Sequence, residues 1–371
     1  MKIRSVETFR VKIPLKKPFK TALRTVTEAE SIYVTITLED GTIGFGEAPP
    51  NLVVTGDTLN SIQTCIEHIF KPILLGQSIQ HINNILEIIN QSIVRNTSAK
   101  AAVDMALYDC LSRTARLPLY QLLGGYRDSI DTDYTVSVND PDEMALDAQT
   151  YINDGFQMLK VKVGKDDIHQ DLKRIQAIRE MIGPKPIIRL DANQGWSVKE
   201  AIYAINQMEA LDLNIELVEQ PVKANDIKGL KQVTDRTNIP IMADESVFSP
   251  DDARKVLETG SADLINIKLM KTGGIYNALK ISQMADAFGI ECMVGSMIET
   301  KLGITAAAHF AASQKNITRY DFDAPLMLAD DPLLGGIQYE GPIMTFSDEP
   351  GLGIYEAKED FIIHEEFVKN E

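Results

Sequence analysis

From about residue 126 to residue 335, short apolar strands alternate with amphipathic helical segments, and this alternation restricts the possible folds more than any other feature. Each strand and helix together take about 25–30 residues, which favours parallel strands, because a parallel connection needs a crossover helix. Eight such units in series predict a closed barrel, and an open doubly wound sheet is the alternative. The predicted strands are residues 131–138, 159–164, 187–193, 215–221, 239–246, 264–269, 291–296 and 317–323.

The rest of the chain has two further patterns. Residues 1–125 begin with strand-like alternation at 2–11 and 31–38 and then become helical, which predicts an α+β domain. Residues 336–371 contain turn-forming glycine and proline and end in an acidic tail, and we expect them to pack back on the first domain. The predicted barrel domain lies between these two parts, over residues 126–335.

Residues able to do chemistry recur near the carboxyl ends of the predicted barrel strands. In a barrel of this kind, the carboxyl ends of the strands build the active site. A single such residue is more often a helix N-cap, a loop residue or a solvated surface charge, but repetition on strand after strand favours one shared site. The residues are Lys162, Asp191, Glu219, Asp244, Lys268, Ser296 and Asp321.

Three of these residues are carboxylates on neighbouring strands. Asp191, Glu219 and Asp244 would meet at one side of the mouth, where they would repel one another unless a cation lay between them. Oxygen-only ligands suit Mg²⁺, which keeps open positions for water or substrate. Strand parity selects Glu219 over Glu216, and it turns Glu245 away from Asp244. The sequence therefore predicts a magnesium site.

Two lysines would lie on either side of this site. Lys162 and Lys268 belong to the second and sixth predicted strands, which are opposite in a ring of eight. Such a pair can remove a proton from one face of a carbon and return one to the other face. A lysine base must be partly neutral, and we expect the metal and the nearby charge of Lys160 to lower the pKa of Lys162. The alternative is a pair of solvated lysines at a strand end.

Charge and composition restrict the partners. A formal net charge of −16 disfavours binding to nucleic acid and to anionic membranes. No opening stretch has signal-peptide character and no apolar run approaches the roughly 20 residues that span a bilayer, so we expect a cytoplasmic protein. Three widely separated cysteines fit neither a disulfide framework nor a thiolate metal site.

Six motifs, in this order and spacing, are similar to those of a known family: KVKVG, LDANQGW, ELVEQP, MADES, INIKLMKTGGI and GSMIET. The chain resembles the enolase superfamily, in particular its muconate-lactonizing-enzyme subgroup. The resemblance implies an α/β fold, a TIM-like (β/α)₇β barrel with an N-terminal α+β capping domain, and Mg²⁺ on Asp191, Glu219 and Asp244. It also implies that Lys162 and Lys268 act as an acid/base pair, removing a proton α to a carboxylate to give a metal-stabilised enediolate.

The segment RYDFDAP at 319–325 indicates a substrate class. Asp321 and Asp323 share one face of the eighth strand, across the barrel from Glu219, and suit a ligand with a carboxylate at the metal and a cation at its far end. A dipeptide places its ammonium group about 3.5 Å further from the reacting carbon than a free amino acid does. This element resembles that of dipeptide epimerases of the L-Ala-D/L-Glu type, which implies inversion of the α-carbon of the C-terminal residue.

The same resemblance implies further contacts around the dipeptide. Arg24, in the capping domain, would pair with an acidic side chain, and an exposed loop arginine is the alternative. Capping-domain loops 19–28 and 50–58 would close over the mouth and set the side-chain preference, which stays open. The other implied contacts are Thr135, Lys160, Ser296 and the backbone at Ile298.

Other functions stay open at this point. An o-succinylbenzoate synthase or a muconate cycloisomerase would take anionic substrates, which have no ammonium group for Asp321 and Asp323. A barrel that binds a peptide without turnover is expected to have lost a metal ligand or a lysine, and none is lost. Ser296 stands where a related dehydratase would need a histidine, and His309 fits a packed helix residue. A homo-oligomer is compatible with the sequence.

Overall fold

Eight parallel strands form a curled sheet in the computed structural model, which describes residues 1–363. Each strand pairs in parallel with the next one along the chain. This arrangement confirms the predicted barrel. Its strands, numbered one to eight in chain order, are Tyr134–Val136, Met158–Lys162, Ile187–Asp191, Ile215–Glu219, Ile241–Ala243, Leu264–Ile267, Glu291–Val294 and Ile317–Tyr320.

Hydrogen bonds connect the segment just before the first strand with the end of the last strand. The amide of Asp133 donates to Tyr320 O at 3.3 Å, and the amide of Phe322 donates to Thr132 Oγ1 at 2.8 Å. Because the ring closes here, strand two lies opposite strand six. In the described part of the chain, the seven connecting helices are Pro141–Asn153, Ile168–Ile182, Val198–Ala210, Ile227–Thr234, Pro250–Thr259, Ile275–Ala287 and Lys301–Ser313, and the short helices Leu269–Thr272 and Ala324–Met327 follow strands six and eight.

The observed strands are shorter than the predicted ones. Most predicted strands ran past the sheet, because their last residues form the loops at the mouth; the predicted strand 239–246, for example, keeps only Ile241–Ala243. The predicted strand 131–138 is divided between two sheets, since Ser129–Asp131 pairs with Ile343–Thr345 and only Tyr134–Val136 joins the barrel. Apolar periodicity shows which residues are extended but not which sheet they join.

Strand two shows how lysines come to lie inside the barrel. Val161 packs into the main apolar core, whereas Lys160 and Lys162 alternate with it and point the other way. All three are buried. The barrel interior also holds a separate apolar cluster, so charged side chains occupy only part of it. That cluster is Leu217, Met242, Leu264 and Met293.

The N-terminal region combines an antiparallel sheet with helices. Its strands are Ile3–Lys20, Thr25–Leu38 and Ile43–Ala48, the first two extending well beyond the predicted ranges. Helix Thr97–Ala115 packs directly on the third strand, where a Cβ atom at Gly46 would lie only 1.9 Å from Ala102 O. The remaining helices are Leu59–Cys65, the π-helix Ile66–Phe70, Lys71–Leu74, the 3₁₀ turn Ile79–His81, Ile82–Ser92 and Leu119–Leu122.

The chain returns to the N-terminal sheet after the barrel. Strand Ile362–Ile363 pairs antiparallel with Ile3–Lys20, and the predicted acidic tail at 364–371 lies outside the described residues. Across residues 1–363, no helix combines the length and apolar character needed to cross a membrane. The other elements of this region are Leu333–Gly335, Gln338–Glu340, Ile343–Thr345, Ile354–Ala357 and the 3₁₀ turn Glu359–Phe361.

Two buried carboxylates of the N-terminal region bond to the first turns of barrel helices. Glu47 accepts hydrogen bonds from the amide of Gly303 at 2.7 Å and from the amide and hydroxyl of Thr300 at 2.9 and 2.7 Å. Asp104 accepts from the amides of Ile275 and Tyr276 at 2.6 and 3.1 Å. Carboxylates are favourable at helix N-termini, so these contacts fix the cap relative to the barrel.

Candidate active site

The residues singled out at the strand ends meet at one mouth. Strands two, three and four end at Lys162, Asp191 and Glu219, and the registers of these strands place the three residues side by side. Asp244 and Lys268 directly follow strands five and six. Ser296, Asp321 and Asp323 follow strands seven and eight, and they line the same cavity as Lys162, Asp244 and Lys268.

The three carboxylates form a compact buried cluster. Oxygen atoms of Asp191, Glu219 and Asp244 all lie within 4.8 Å of one another. Burial would raise the pKa of Asp191, but Lys162 and Lys160 outweigh it and hold that pKa at about 2. Burial and the charge of Asp191 raise the pKa of Glu219 to about 7. The charged form is therefore favoured at Asp191 and disfavoured at Glu219.

The surroundings of this cluster fit a hydrated divalent cation. Every candidate ligand is an oxygen, as Mg²⁺ prefers. The main-chain amide of Asn193 donates to Asp191 Oδ1 at 2.9 Å, and the side-chain Oδ1 of Asn193 is buried with no hydrogen-bond partner. Glu245, which accepts from Asn193 Nδ2 at 3.4 Å, likewise keeps a buried Oε2. Both oxygens can accept hydrogen bonds from the waters that Mg²⁺ retains.

The prediction that Glu245 faces away from Asp244 is wrong. Both side chains line the cavity. Strand five ends at Ala243, so Asp244 and Glu245 lie in a turn where strand parity no longer applies. Glu216, by contrast, pairs with Arg189 Nε at 2.6 Å, and Glu219 is the residue in the cluster.

Lys160 lies fully buried among three carboxylates. Its Nζ is 2.7 Å from Asp321 Oδ2, 2.8 Å from Glu219 Oε2 and 3.3 Å from Asp191 Oδ2. Burial lowers the pKa of this ammonium, but the surrounding negative charges outweigh burial and hold the pKa well above its ordinary value. Lys160 therefore stays charged and connects strands three, four and eight.

Lys162 and Lys268 occupy opposite sides of the carboxylate cluster. Lys162 Nζ lies 2.6 Å from Asp191 Oδ2, and Lys268 Nζ lies 2.8 Å from Asp244 Oδ2. Burial lowers the pKa of Lys268, but Asp244 outweighs it, so the pKa lies above its ordinary value. The sequence could not show that a carboxylate pairs directly with Lys268.

The two aspartates that follow strand eight have different partners. Asp321 gives one oxygen to Lys160, whereas Asp323 Oδ2 accepts a hydrogen bond from the amide of Thr135 at 2.6 Å. Burial and the charge of Asp321 raise the pKa of Asp323 to about 7. The Ser296 hydroxyl donates to Asp321 O at 3.3 Å. Asp323 is thus the aspartate left to meet a cation in the cavity.

The N-terminal region supplies the other wall of the cavity. Its lining residues include Phe19, Arg24 and Asn51, opposite Thr135 and Ile298 of the barrel. Arg24 is half-buried, and its guanidinium has no hydrogen bond or ion pair within residues 1–363. Burial lowers the pKa of Arg24. The Asn51 amide group contacts Met297 Sδ at 3.1 Å, which connects loop 50–58 to the segment after strand seven.

Sequence reasoning missed two buried polar residues beside the cluster. Asn266 donates from Nδ2 to Glu219 Oε1 at 2.7 Å, and Lys271 contacts Asp244 Oδ1 at 2.6 Å. Asn266 could have been found by parity, since it lies two residues before Lys268 on the same strand face. Lys271 gives no such signal, because it lies in the helix that follows strand six.

Two family models cover most of the chain. Residues 3–124 match the mandelate racemase / muconate lactonizing enzyme N-terminal domain, and residues 143–360 match the enolase C-terminal domain-like family. An L-Ala-D/L-Glu epimerase of Bacillus subtilis is 62% identical, covering 96% of this chain and 98% of the relative. A hydrophobic dipeptide epimerase of Enterococcus faecalis is 46% identical, covering 95% of this chain and 99% of the relative.

Solved structures of dipeptide epimerases are also similar to this chain. A substrate-liganded complex of the Bacillus subtilis L-Ala-D/L-Glu epimerase has a TM-score of 0.96 at 62% identity, covering 96% of this chain and 99% of that one. The Enterococcus faecalis dipeptide epimerase complexed with Mg and L-Leu-L-Tyr has a TM-score of 0.93 at 46% identity, covering 96% and 100%. The chain therefore belongs to the enolase superfamily, in the group that contains mandelate racemase and muconate lactonizing enzyme.

Proposed function

We propose that this chain is a Mg²⁺-dependent dipeptide epimerase that inverts the α-carbon of the C-terminal residue by 1,1-proton transfer. The carrying observation is the placement of Lys162 and Lys268 on opposite sides of one buried carboxylate cluster. Two amines on opposite faces of a carbon are what inversion by proton transfer needs. Relatives named as L-Ala-D/L-Glu epimerases support the same reaction.

In this proposal Asp191, Glu219 and Asp244 hold Mg²⁺. When bound, the ion supplies positive charge that would bind the carboxylate of the substrate and stabilise the negative charge that develops next to it. Lys160, whose pKa lies well above its ordinary value, adds a fixed positive charge at the same place. Fixed charges aimed at developing charge lower the barrier without reorganisation.

The two lysines exchange roles with the direction of the reaction. One lysine, as the neutral amine, takes the α-proton and becomes an ammonium, and the electron pair of the C–H bond moves into the carboxylate to form an enediolate. The opposite lysine, as the ammonium, then returns a proton to the other face. Because the amines lie on either side of the cluster, Lys162 serves one epimer and Lys268 serves the other.

Other residues determine what is held between the lysines. We assign the ammonium group of the dipeptide to Asp323, with Asp321 adding negative charge nearby. Arg24 offers an unpaired guanidinium within the described chain, which favours an acidic side chain on the C-terminal residue. Thr135, Ser296 and the backbone at Ile298 complete the contacts. An alanine–glutamate dipeptide is the substrate that fits both charged groups.

We assign a separate role to each predicted domain. Residues 1–125 provide the capping loops with Arg24, residues 126–335 carry the metal ligands and lysines, and residues 336–363 belong to the C-terminal segment that returns to the cap. A small peptide and one divalent ion are the partners that this arrangement requires. We propose a cytoplasmic enzyme on the basis of the sequence alone.

Deuterium exchange tests this function directly. The protein is incubated with Mg²⁺ and L-Ala-L-Glu in D₂O, and mass spectrometry and chiral chromatography follow the product. Deuterium at the C-terminal α-carbon together with L-Ala-D-Glu supports the proposal. A Lys162→Ala/Lys268→Ala double variant is the control. Absence of exchange with every member of a broad dipeptide library, despite measurable binding, would favour a binding protein instead.

A further inference from the structure

Lys271 is a buried lysine that contacts the carboxylate cluster from the side away from the active-site cavity. It is fully buried in the short helix Leu269–Thr272 and does not line the active-site cavity. A substrate between Lys162 and Lys268 therefore cannot touch it. Any effect on the reaction must pass through the groups that Lys271 itself contacts.

Four oxygen atoms surround the Lys271 ammonium group. It contacts Asp244 Oδ1 at 2.6 Å, and it donates to Val247 O and Asn266 O at 3.0 Å each and to Asp244 O. Val247 follows strand five, whereas Asn266 is on strand six, so one ammonium group ties these two strand ends together. A buried ammonium is unfavourable unless it is paired and hydrogen-bonded, and here its protons are all used.

Asp244 is consequently held at both carboxylate oxygens by different lysines. Lys268 contacts Oδ2 from the cavity side, and Lys271 contacts Oδ1 from the wall. The other partners of Lys271 are main-chain carbonyls, which do not move with the substrate. The Lys271 contact therefore restricts rotation of the Asp244 carboxylate.

We propose that Lys271 is a positioning residue that fixes the orientation of Asp244 for the cation. This inference rests on the proposed function, in which Asp244 is a metal ligand. Partners of this kind, which contact a ligand and not the metal, commonly contribute about ten- to hundredfold to metal affinity. The same residue also sets the position of the turn that carries Glu245, since it contacts the carbonyls on both sides of that residue.

The direction of the effect separates positioning from simple electrostatics. Removing a positive charge near a cation site would by itself strengthen Mg²⁺ binding. Loss of the correct carboxylate orientation would weaken it. Lys271→Met removes the charge and keeps the chain length, so the sign of the change in the Mg²⁺ dissociation constant decides between the two effects.

The test measures Mg²⁺ binding by isothermal titration calorimetry without substrate. We expect Lys271→Met to raise the dissociation constant about ten- to hundredfold relative to the unsubstituted protein. Lys100→Met is the matched control, because Lys100 is another buried lysine that donates to two main-chain carbonyls, at Asn90 and Ile93, without contacting the cluster. Its dissociation constant should change less than twofold. Raising Mg²⁺ should also restore turnover to Lys271→Met.

Equal or tighter Mg²⁺ binding by Lys271→Met would overturn the inference. If that variant does not fold, Lys271→Gln repeats the test with N–H donors retained for the carbonyls and the charge removed. If Lys271→Gln also fails to fold, the lysine serves the fold and the inference is rejected. An unsubstituted protein that binds Mg²⁺ but exchanges no deuterium would contradict the proposed function alone, leaving the role of Lys271 at Asp244 to be judged by binding.

Discussion

Lys162 Nζ lies 2.6 Å from Asp191 Oδ2, so a proposed base and a proposed metal ligand are in direct contact. The same relationship recurs on the other side of the cluster, where Lys268 contacts Asp244. Each amine is therefore anchored to its own side of the site by a different carboxylate. Removing one lysine leaves the contact on the opposite side in place.

Single lysine substitutions should separate the two halves of the reaction. We expect Lys162→Ala or Lys268→Ala to lower epimerisation by at least about a hundredfold, because one face loses its acid/base group. The remaining lysine should still exchange the α-proton of one epimer with D₂O. Proton NMR of each epimer measures this. A single variant that retains full epimerisation would exclude that lysine from the acid/base role.

Asp323→Asn should weaken dipeptide binding more than it affects the fold. The substitution removes the negative charge assigned to the substrate ammonium, and a charge-assisted hydrogen bond contributes enough that we expect KM to rise about ten- to hundredfold. Steady-state kinetics with L-Ala-L-Glu measures the change. N-acetyl-L-Ala-L-Glu, which has no ammonium group, is the control. Its KM should exceed that of L-Ala-L-Glu in the unsubstituted protein, and the two KM values should be similar in the variant. An unchanged KM would reject the assignment.

Arg24→Met tests the preference for an acidic side chain. The guanidinium has no partner within residues 1–363, so it is available to pair with an acidic side chain of the substrate. Its removal should lower kcat/KM for L-Ala-L-Glu by about ten- to hundredfold. Turnover of L-Ala-L-Gln, an uncharged analogue of the same size, should change little. Competition between the two peptides in one reaction gives the ratio directly. A parallel decrease for both peptides would show that Arg24 does not recognise charge.

Glu47→Gln should loosen the contact between the cap and the barrel. Glutamine replaces one carboxylate oxygen with an NH₂ donor, which would face the main-chain amide of either Thr300 or Gly303. We expect the free energy of unfolding to fall by about 1–3 kcal/mol. Denaturant unfolding followed by circular dichroism measures it. Glu39→Gln, at an exposed position, is the control and should change stability by less than about 0.5 kcal/mol. Equal effects at both sites would contradict the prediction.

His309 should make the fold sensitive to acid. Burial lowers the pKa of His309 to about 3 from an ordinary value of 6.5, and its Nδ1 accepts a hydrogen bond from the Tyr120 amide at 3.0 Å. The unfolded chain therefore binds the proton first, so this stability is present above pH 6.5 and falls as the pH drops towards 3. The slope from one such group is at most about 1.4 kcal/mol per pH unit.

His309→Asn, which keeps an acceptor but cannot titrate, checks this prediction. Between pH 6.5 and pH 5, the unsubstituted protein should lose up to about 2 kcal/mol more unfolding free energy than the variant does. Urea unfolding at the two pH values gives the difference. Parallel losses in both proteins would mean that other groups carry the acid sensitivity.

The sequence by itself determined the barrel and the residues at its mouth. Strand-helix alternation set the strand order, and a period of two placed Lys160 and Lys162 on one face of strand two. The same rule selected Glu219 for the carboxylate cluster. These features are local, because each depends only on residues within one strand and on the regular closure of a parallel barrel.

Only the tertiary structure decided which charges meet. Lys160 contacts Asp321 from a position 161 residues away, and Glu47 contacts Thr300 from 253 residues away. Lys271 lies in the short helix after strand six and Glu245 in the turn after strand five, so the strand period did not specify their direction. Hydrogen bonds and ion pairs depend on distances of about 3 Å, whereas sequence periodicity fixes only the face on which a side chain begins.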